Sequence, residues 1–260
     1  MKSMKGQTAL ITGASSGIGA ALAREFARRG ANLILLARNR ERLEAVRSQC
    51  AGLGTGEVRL LEAELTDYPA VDALVAKLEG RLDYLVLNAG ISQRSLAMET
   101  AEAVDRRVME VDFFAPVHLA KALRKAGKWD RDTHIAATSS ISGLFGFPQR
   151  SAYCAAKHAL KGYFEALQLE TGMKITLLFP GRINTPISLS ALEGDGKAHG
   201  QMDPGQAGGM DADRCARKCV DGIQRGRRQV RVGGREMVAC FVYKWFPGLF
   251  FRLAGKVSAV

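Results

Sequence analysis

Three side chains of this sequence have the types and the spacing for proton transfer. Tyr153 and Lys157 lie four residues apart in a segment with helical periodicity, so both project from one face of the predicted helix. A phenol alone is a weak base at neutral pH, but an ammonium beside it favours the phenolate and lowers the phenol's pKa. Ser140 follows a predicted strand, and its hydroxyl can hold a carbonyl or alcohol oxygen beside the phenol. The three residues predict an acid–base site that works on such an oxygen.

A glycine-rich turn near the start of the chain predicts a dinucleotide site. Residues 12–19 read TGASSGIG and lie between a predicted strand and a predicted helix. The first glycine permits a tight turn, the second lets the backbone approach a pyrophosphate, and the third allows close packing of helix on strand. Amide donors and the dipole at the helix start favour the anion. The turn residues predicted to bind the cofactor are Gly13, Ser15, Ser16, Gly17, Ile18 and Gly19.

The end of the second predicted strand indicates which dinucleotide binds. A site for NAD usually has a carboxylate there, which accepts hydrogen bonds from the ribose hydroxyls. This sequence has Ala37 and Arg38 instead, with no carboxylate before Glu41. Because a guanidinium can bind a 2′-phosphate through two hydrogen bonds, we expect NADP(H), with NAD(H) as the alternative.

The elements that must position these residues alternate along the chain. Stretches dense in Leu, Ile and Val predict parallel strands buried on both faces, at residues 7–13, 32–38, 58–65, 82–90, 134–140, 174–180 and 229–233. Helical spacing predicts helices at residues 18–30, 40–50, 68–79, 101–125, 151–171 and 211–225. The alternation predicts one α/β domain over residues 1–236, with a Rossmann-type, doubly wound, seven-stranded parallel sheet and helices on both faces.

Two segments depart from this alternation. Residues 186–210 contain six glycines and two prolines with little periodicity, which predicts a functional or disordered loop. Residues 237–260 form an apolar and basic C-terminal extension, in which Lys244 and Pro247 interrupt the apolar run. The extension can cap the fold, line an oligomer interface or lie on a membrane surface.

Composition excludes several classes of protein. The chain has 260 residues, of which 47% are hydrophobic and 24% charged, as in a globular protein. Five cysteines with no CxxC pair, and histidines without ligand spacing, predict neither disulfides nor a metal site and favour a reducing, cytoplasmic location. Neither a secretory signal nor a membrane span is expected. The net charge of +11 is concentrated after residue 211, and without a nucleic-acid-binding module we expect no nucleic-acid partner.

Four motifs in order resemble the short-chain dehydrogenase/reductase family, single-domain type, over essentially the whole chain. They are the turn at 12–19, Leu87-Asn88-Ala89-Gly90, Ser140 with Tyr153-Cys154-Ala155-Ala156-Lys157, and Phe179-Pro180-Gly181. The resemblance implies that Ser140 orients the substrate, that Tyr153 is the general acid/base, and that Lys157 supports it and binds the nicotinamide ribose. A homodimer or homotetramer is also implied.

The same resemblance assigns further cofactor contacts. Ile183 and Thr185 match the positions that hold the nicotinamide carboxamide, and Glu64 and Leu65 match those that meet the adenine. The other contacts that the resemblance implies are Asn88, Ala89 and Gly90, which flank the adenosine, and Pro180 and Gly181.

Asp112 departs from the family pattern, which has asparagine at its position. In the family, the main-chain carbonyl of that asparagine supports a water beside the lysine, and an aspartate keeps this carbonyl, but a carboxylate near Lys157 can draw the ammonium's charge away from Tyr153. We expect an active enzyme with an altered pH dependence.

The substrate is expected to contact loops beyond the carboxyl ends of the strands. Apolar residues on these loops predict a hydrophobic alcohol or ketone: Leu96, Met98, Leu144, Phe145, Phe147, Leu189 and Leu192. The loop and the extension resemble the steroid- and retinoid-type branch of the family. Three alternatives stay open: a 3-oxoacyl thioester reductase of fatty-acid type, a non-catalytic NADP(H)-binding regulator, and peripheral membrane contact through the extension.

Overall fold

The computed structural model describes residues 3–254, and its centre is a sheet of seven strands that are all parallel. The strands are β1 Thr8–Thr12, β2 Asn32–Ala37, β3 Val58–Glu62, β4 Tyr84–Leu87, β5 His134–Thr138, β6 Ile175–Pro180 and β7 Gln229–Val232. Their spatial order is β3-β2-β1-β4-β5-β6-β7. The predicted doubly wound, Rossmann-type sheet is therefore confirmed.

Helices cover both faces of the sheet. They are α1 Gly17–Arg28, α2 Arg40–Cys50, α3 Tyr68–Ala76, α4 Glu102–Met109, α5 Ala115–Lys125, α6 Ser151–Thr171, α7 Pro204–Ala207, α8 Ala212–Gln224, α9 Met237–Trp245 and α10 Pro247–Ala254. One core lies between the sheet and helices α1, α2 and α8, and a second lies between the sheet and helices α3, α5 and α6. Strands such as β5, whose five residues are all buried, contribute to both cores.

The strand order explains why a site forms at one edge of the sheet. The chain moves outward from β1 through β2 to β3, and then crosses back to place β4 on the other side of β1. Loops on the two sides of this switch point diverge, which leaves a crevice beyond the carboxyl ends of β1 and β4. The segments that follow β1, β4, β5 and β6 all reach this edge.

The predicted helix at 101–125 is wrong as one continuous α-helix. A π-helical segment, Glu110–Phe114, separates α4 from α5. Pro116 in the first turn of α5 has no N–H for an α-helical hydrogen bond, and the wider turn accommodates this interruption. The segment contains Asp112, so the helix is irregular at the residue that departs from the family's asparagine.

The two segments outside the alternation are ordered over the described residues. Residues 186–210 contain a short 3-10 turn, Pro186–Ser188, and helix α7, and isolated bridges join Leu192 to Gln93 and to Ala198. Residues 237–254 of the C-terminal extension form α9 and α10, whereas 255–260 lie outside the described residues. Between residues 3 and 254, no helix has the length and apolar character needed to cross a membrane.

Candidate active site

The glycine turn has the geometry that its sequence predicts. Gly13 and Gly17 have φ angles of 64° and 52°, which favour glycine. A Cβ on Gly19 would lie 2.1 Å from the carbonyl oxygen of Gly13, so only glycine lets α1 pack this closely on the turn. Ser16 is the N-cap of α1, yet its side chain makes no capping hydrogen bond, which leaves the first amides of the helix available to an anion.

Thr12 connects the turn to the segment after β4. Its Oγ1 accepts hydrogen bonds from the backbone N–H groups of Asn88, at 2.9 Å, and Ala89, at 3.0 Å. The Asn88 side chain in turn donates to the Thr12 carbonyl at 3.2 Å. Two predicted cofactor-binding segments are thereby fixed side by side. Thr12 is not among the predicted cofactor contacts, although its place at the end of β1, directly before Gly13, indicates that it can connect the turn to a neighbouring segment.

The predicted acid–base residues converge from two elements. Tyr153 and Lys157 lie on the inner face of α6, and the ammonium nitrogen of Lys157 is 5.6 Å from the centroid of the Tyr153 ring. Ser140 follows β5, and its Oγ lies 3.5 Å from the carbonyl oxygen of Pro180 at the end of β6. Helix α6 ends at Gly172, which has the left-handed conformation. The inner face of α6 packs into the core through the apolar residues Leu160 and Phe164.

Lys157 forms a buried ion pair with Asp112. Its Nζ lies 3.0 Å from Oδ2 of Asp112 and donates to the carbonyl of Thr138 at 3.1 Å, while Oδ1 of Asp112 accepts from the N–H of Ile91 at 2.7 Å. Burial alone would lower the pKa of Lys157, but the carboxylate of Asp112 and the phenol of Tyr153 together raise it. Burial also raises the pKa of Asp112 against the opposing effect of the Lys157 charge, so the ammonium of Lys157 is shared between the Asp112 carboxyl group and the Tyr153 phenol.

A cavity of about 180 Å³ opens in front of these residues. Ser140 and Tyr153 line it together with Gly181, Ile183 and Thr185, which follow β6. Its apolar wall consists of Ile18, Ile141, Phe145, Phe147, Ile187 and Ala239. Of the seven apolar residues predicted to form the pocket, only Phe145 and Phe147 line this cavity. Leu96, Met98 and Leu189 lie outside this cavity with their side chains exposed to solvent, so their contact with substrate stays a prediction.

Charged residues outside the predicted site also line the cavity. Arg150 and Asp203 both line it, and a guanidinium nitrogen of Arg150 lies 3.2 Å from Oδ2 of Asp203. Arg94, behind them, also donates to Asp203, with Nε 2.9 Å from the same oxygen. Two guanidinium groups thus share one buried carboxylate, which leaves an excess positive charge beside the cavity. Arg94 and Arg150 are each more than fifty residues from Asp203 in the sequence, so no local pattern indicated that the three side chains meet.

The residues predicted to meet the adenosine lie at the ends of β2 and β3. Arg38 extends into solvent and forms an ion pair with Glu64 at 3.2 Å, and Arg107 approaches the same carboxylate at 3.3 Å. Burial opposes the effect of these contacts, but the Thr66 amide and the two arginines together lower the pKa of Glu64. Leu65 is buried next to Glu64. The structure therefore brings Arg38 and Glu64 together, as an exposed pair that a ligand phosphate can rearrange at little cost.

This edge of the sheet fits a nicotinamide dinucleotide. Uncapped amides at α1 suit a pyrophosphate, and Arg38 offers a cation one strand away. At the end of the crevice near Lys157, Gly90 keeps space free, because a Cβ on Gly90 would lie 3.2 Å from Nζ of Lys157. Gln206 holds the predicted carboxamide segment in place by donating to the carbonyl of Ile183 at 2.6 Å.

The fold and this edge of the sheet define a nucleotide-binding protein of Rossmann type. The family described as "short chain dehydrogenase" matches residues 7–195, so the chain belongs to the short-chain dehydrogenase/reductase family of oxidoreductases. "Dehydrogenase/reductase SDR family member 7B" of Mus musculus is 35% identical, over 96% of this chain and 80% of its own length. "Dehydrogenase/reductase SDR family protein 7-like" of Anopheles gambiae is 38% identical, over 97% of this chain and 83% of its own length.

Solved structures share the fold. An alcohol dehydrogenase from the archaeon Thermococcus sibiricus, complexed with 5-hydroxy-NADP, is 25% identical with a TM-score of 0.74, over 88% of this chain and 97% of that chain. A short-chain dehydrogenase from Sphingobium yanoikuyae, in complex with NADPH, is 26% identical with a TM-score of 0.73, over 98% of this chain and 97% of that chain.

Proposed function

We propose that the protein interconverts a hydroxyl and a carbonyl on a lipophilic small molecule, with NADP(H) as the cofactor. A bound nicotinamide would supply or accept the hydride. The hydroxyl of Ser140 holds the substrate oxygen, and the phenol of Tyr153 gives it a proton or takes one from it. Lys157 stabilises the phenolate with its positive charge, so this proton transfer does not require a metal ion.

One observation carries this proposal. Ser140 and Tyr153, from two different elements, line a single cavity, and the same cavity is lined by the segment from Gly181 to Thr185. That segment lies against the glycine turn, since a Cβ on Gly17 would be 3.1 Å from Cβ of Thr185. The acid–base residues thus face the place where a dinucleotide on this turn would present its reactive end.

Two features support the finer choices of cofactor and substrate. Arg38 takes the place where a carboxylate would favour NAD, and both structural neighbours described above contain an NADP-type ligand. The apolar part of the cavity wall, with Phe145 and Phe147, suits a hydrocarbon skeleton. The cavity is small, so it holds the reacting end of the substrate.

Turnover by a single-residue variant tests the proposal. A panel of lipophilic ketones and alcohols is offered with NADPH or NADP⁺, and the near-ultraviolet absorbance of the reduced nicotinamide is followed. Tyr153→Phe should lower kcat on the best substrate by roughly 10²- to 10⁴-fold, because the proton donor is lost. Tyr163→Phe, on the same helix but outside the cavity, is the matched control. Full activity of Tyr153→Phe would show that the assignment is wrong.

The ion pair between Lys157 and Asp112 favours a second candidate, a non-catalytic NADP(H)-binding regulator. If the negative charge of Asp112 largely neutralises the ammonium of Lys157, the phenol of Tyr153 lacks the positive charge that lowers its pKa. This candidate predicts cofactor binding by calorimetry with no turnover on any carbonyl of the panel, and turnover that appears in Asp112→Asn.

A further inference from the structure

Helices α9 and α10 present an apolar surface that no described residue covers. Their inner faces pack on the segment after β5, where the ring centroids of Phe145 and Phe250 are 4.8 Å apart and those of Tyr243 and Phe250 5.1 Å apart. Because these inner faces are packed on the fold, the opposite faces of α9 and α10 point outward. The C-terminal apolar face consists of side chains that are 47–64% exposed: Val238, Phe241, Trp245, Phe246, Leu249, Phe251 and Leu253.

The spacing of most of these residues places them on one side of each helix. Val238, Phe241 and Trp245 follow an i, i+3, i+7 pattern along α9, so they line one side of that helix. Beyond the non-helical residue Phe246, Leu249 and Leu253 lie four residues apart on one side of α10. Isolated exposed apolar side chains are common, but seven large ones within sixteen residues mark a contact surface.

The charges around the face have one sign. Arg231, Arg235, Lys244 and Arg252 are all exposed, and none of them forms an ion pair within residues 3–254. Glu236 is the only acidic side chain between residues 222 and 254. Its carboxylate turns inward, since Oε1 accepts from the N–H groups of Arg182 and Gly234 at 2.9 Å each. The outer surface therefore combines aromatic side chains with cations that have no carboxylate partner among the described residues, and the ammonium of Lys244 lies 4.9 Å from the centroid of the Trp245 ring.

This combination favours a lipid surface over a second copy of the chain. A symmetric dimer through the face would bring the same cations of both subunits together, which costs free energy. Trp and Phe side chains beside Lys and Arg instead suit the headgroup region of an anionic bilayer. We propose that the C-terminal apolar face docks the protein on an anionic membrane surface, with α9 and α10 lying in the interface.

Docking there would place the cavity close to the lipid. Ala239 on α9 lines the cavity from inside, while Phe241, two residues later, is exposed on the face. A lipid-dissolved molecule would then have a short path to Tyr153, and this last step rests on the proposed function. The docking itself does not, because it can be measured without substrate or cofactor.

Vesicle flotation with the full-length protein tests the docking. Vesicles of phosphatidylcholine with a minority of phosphatidylglycerol should carry the protein upward, whereas phosphatidylcholine alone should carry little, and added salt should release it. Brominated lipid should quench the emission of exposed Trp245, while Trp129, buried and bonded to the Ala120 carbonyl, reports no contact.

Two double variants separate the apolar and the charged contributions. Lys244→Gln with Arg252→Gln should weaken the partitioning by about fivefold per cation, and Phe241→Ser with Trp245→Ser by at least about tenfold. The matched controls are Arg217→Gln with Lys218→Gln on α8, and Leu169→Ser on α6, all exposed elsewhere. Because the changed residues are exposed, circular dichroism and the thermal midpoint should stay unchanged in every variant.

Three results would overturn the inference. The first is failure of the wild-type protein to float with anionic vesicles at low salt, and the second is unchanged flotation of both double variants. The third is a wild-type oligomer that Phe241→Ser with Trp245→Ser converts to a monomer, since the face would then be a contact between subunits.

Discussion

The pairing of Asp112 with Lys157 is the most distinctive feature at the scale of single residues. The carboxylate takes one contact of a buried ammonium, the carbonyl of Thr138 takes another, and the Tyr153 ring lies on a third side. An asparagine at 112 would keep the hydrogen bond from the Ile91 amide while removing the negative charge. The charge of the residue can therefore be tested while its hydrogen bond from the Ile91 amide is kept.

Asp112→Asn should move the alkaline limb of the pH–rate profile to lower pH. In the wild type Asp112 raises the pKa of Lys157 against the effect of burial, so the pKa falls when the carboxylate is removed. The ammonium is then lost at lower pH, and we expect a shift of roughly one to three pH units in kcat/KM. Steady-state rates across pH, with NADPH and one active ketone, measure it.

Asp105→Asn on α4 is the control, since Asp105 lies outside the ion pair. Its profile should match that of the wild type. If Asp112→Asn also leaves the alkaline limb in place, Asp112 does not govern the charge on Lys157 during turnover.

We propose that Arg38 governs the choice between the two nicotinamide cofactors. Arg38→Asp should lower the ratio of kcat/KM for NADPH to that for NADH by at least about tenfold, because a carboxylate repels the 2′-phosphate and accepts from the ribose hydroxyls of NADH. The ratio is measured with one substrate and both cofactors. Arg131→Asp, which makes the same change of charge on an exposed residue outside the cofactor edge, should leave it unchanged.

At the scale of elements, glycine controls how closely helices approach their neighbours. Gly19→Ala should lower the free energy of unfolding by about 1–3 kcal/mol and weaken cofactor binding, because its Cβ would press on the backbone of Gly13. Gly162→Ala on α6 meets no atom within 4 Å and should instead stabilise the protein by about 0.5–1 kcal/mol through helix propensity. Urea denaturation and cofactor titration measure both variants.

Gly162→Ala serves as the control for Gly19→Ala. Both substitutions add one methyl group to an α-helix, so only the surroundings differ. A stabilising Gly19→Ala with normal cofactor affinity would show that the close approach of α1 to the turn is not required.

Local patterns predicted most elements, and the failures have physical causes. Strands buried on both faces are continuous apolar runs in the sequence, amphipathic helices are periodic, and the turn at Gly13 depends on residues only a few positions apart. The π-helical segment at Asp112 accommodates the missing N–H of Pro116, an interruption that the apolar periodicity of residues 101–125 does not register. The contact of Arg94 and Arg150 with Asp203 depends on tertiary structure.

At the scale of the whole molecule, the two edges of the sheet carry different groups. The carboxyl edge holds the candidate site, whereas the opposite edge holds a polar cavity of about 280 Å³ lined by residues that include Asp83, Asp132, His134 and Lys174. His134 at this edge is 6% exposed, and its Nε2 lies 2.8 Å from Oγ1 of Thr176. Burial, with a smaller effect of the Lys174 charge, lowers the pKa of His134 to about 4.

Acid should therefore destabilise the fold before the carboxylates titrate. The unfolded chain binds a proton at His134 near pH 6.5, whereas the folded chain binds it only near pH 4, so the unfolded state holds more protons between these values. Stability should fall by up to roughly 3 kcal/mol as the pH is lowered through this window. Urea denaturation at neutral pH and near pH 4.5 measures the loss.

His134→Gln should remove much of this acid dependence, because a glutamine amide can still reach Thr176 and does not titrate. His118→Gln, at a half-buried histidine on α5 that stacks on Tyr68, should retain it. The comparison is made on the difference in unfolding free energy between the two pH values, so a constant cost of either substitution cancels. If wild type and His134→Gln lose the same stability in acid, His134 is not kept neutral by the fold, and another group couples protonation to unfolding.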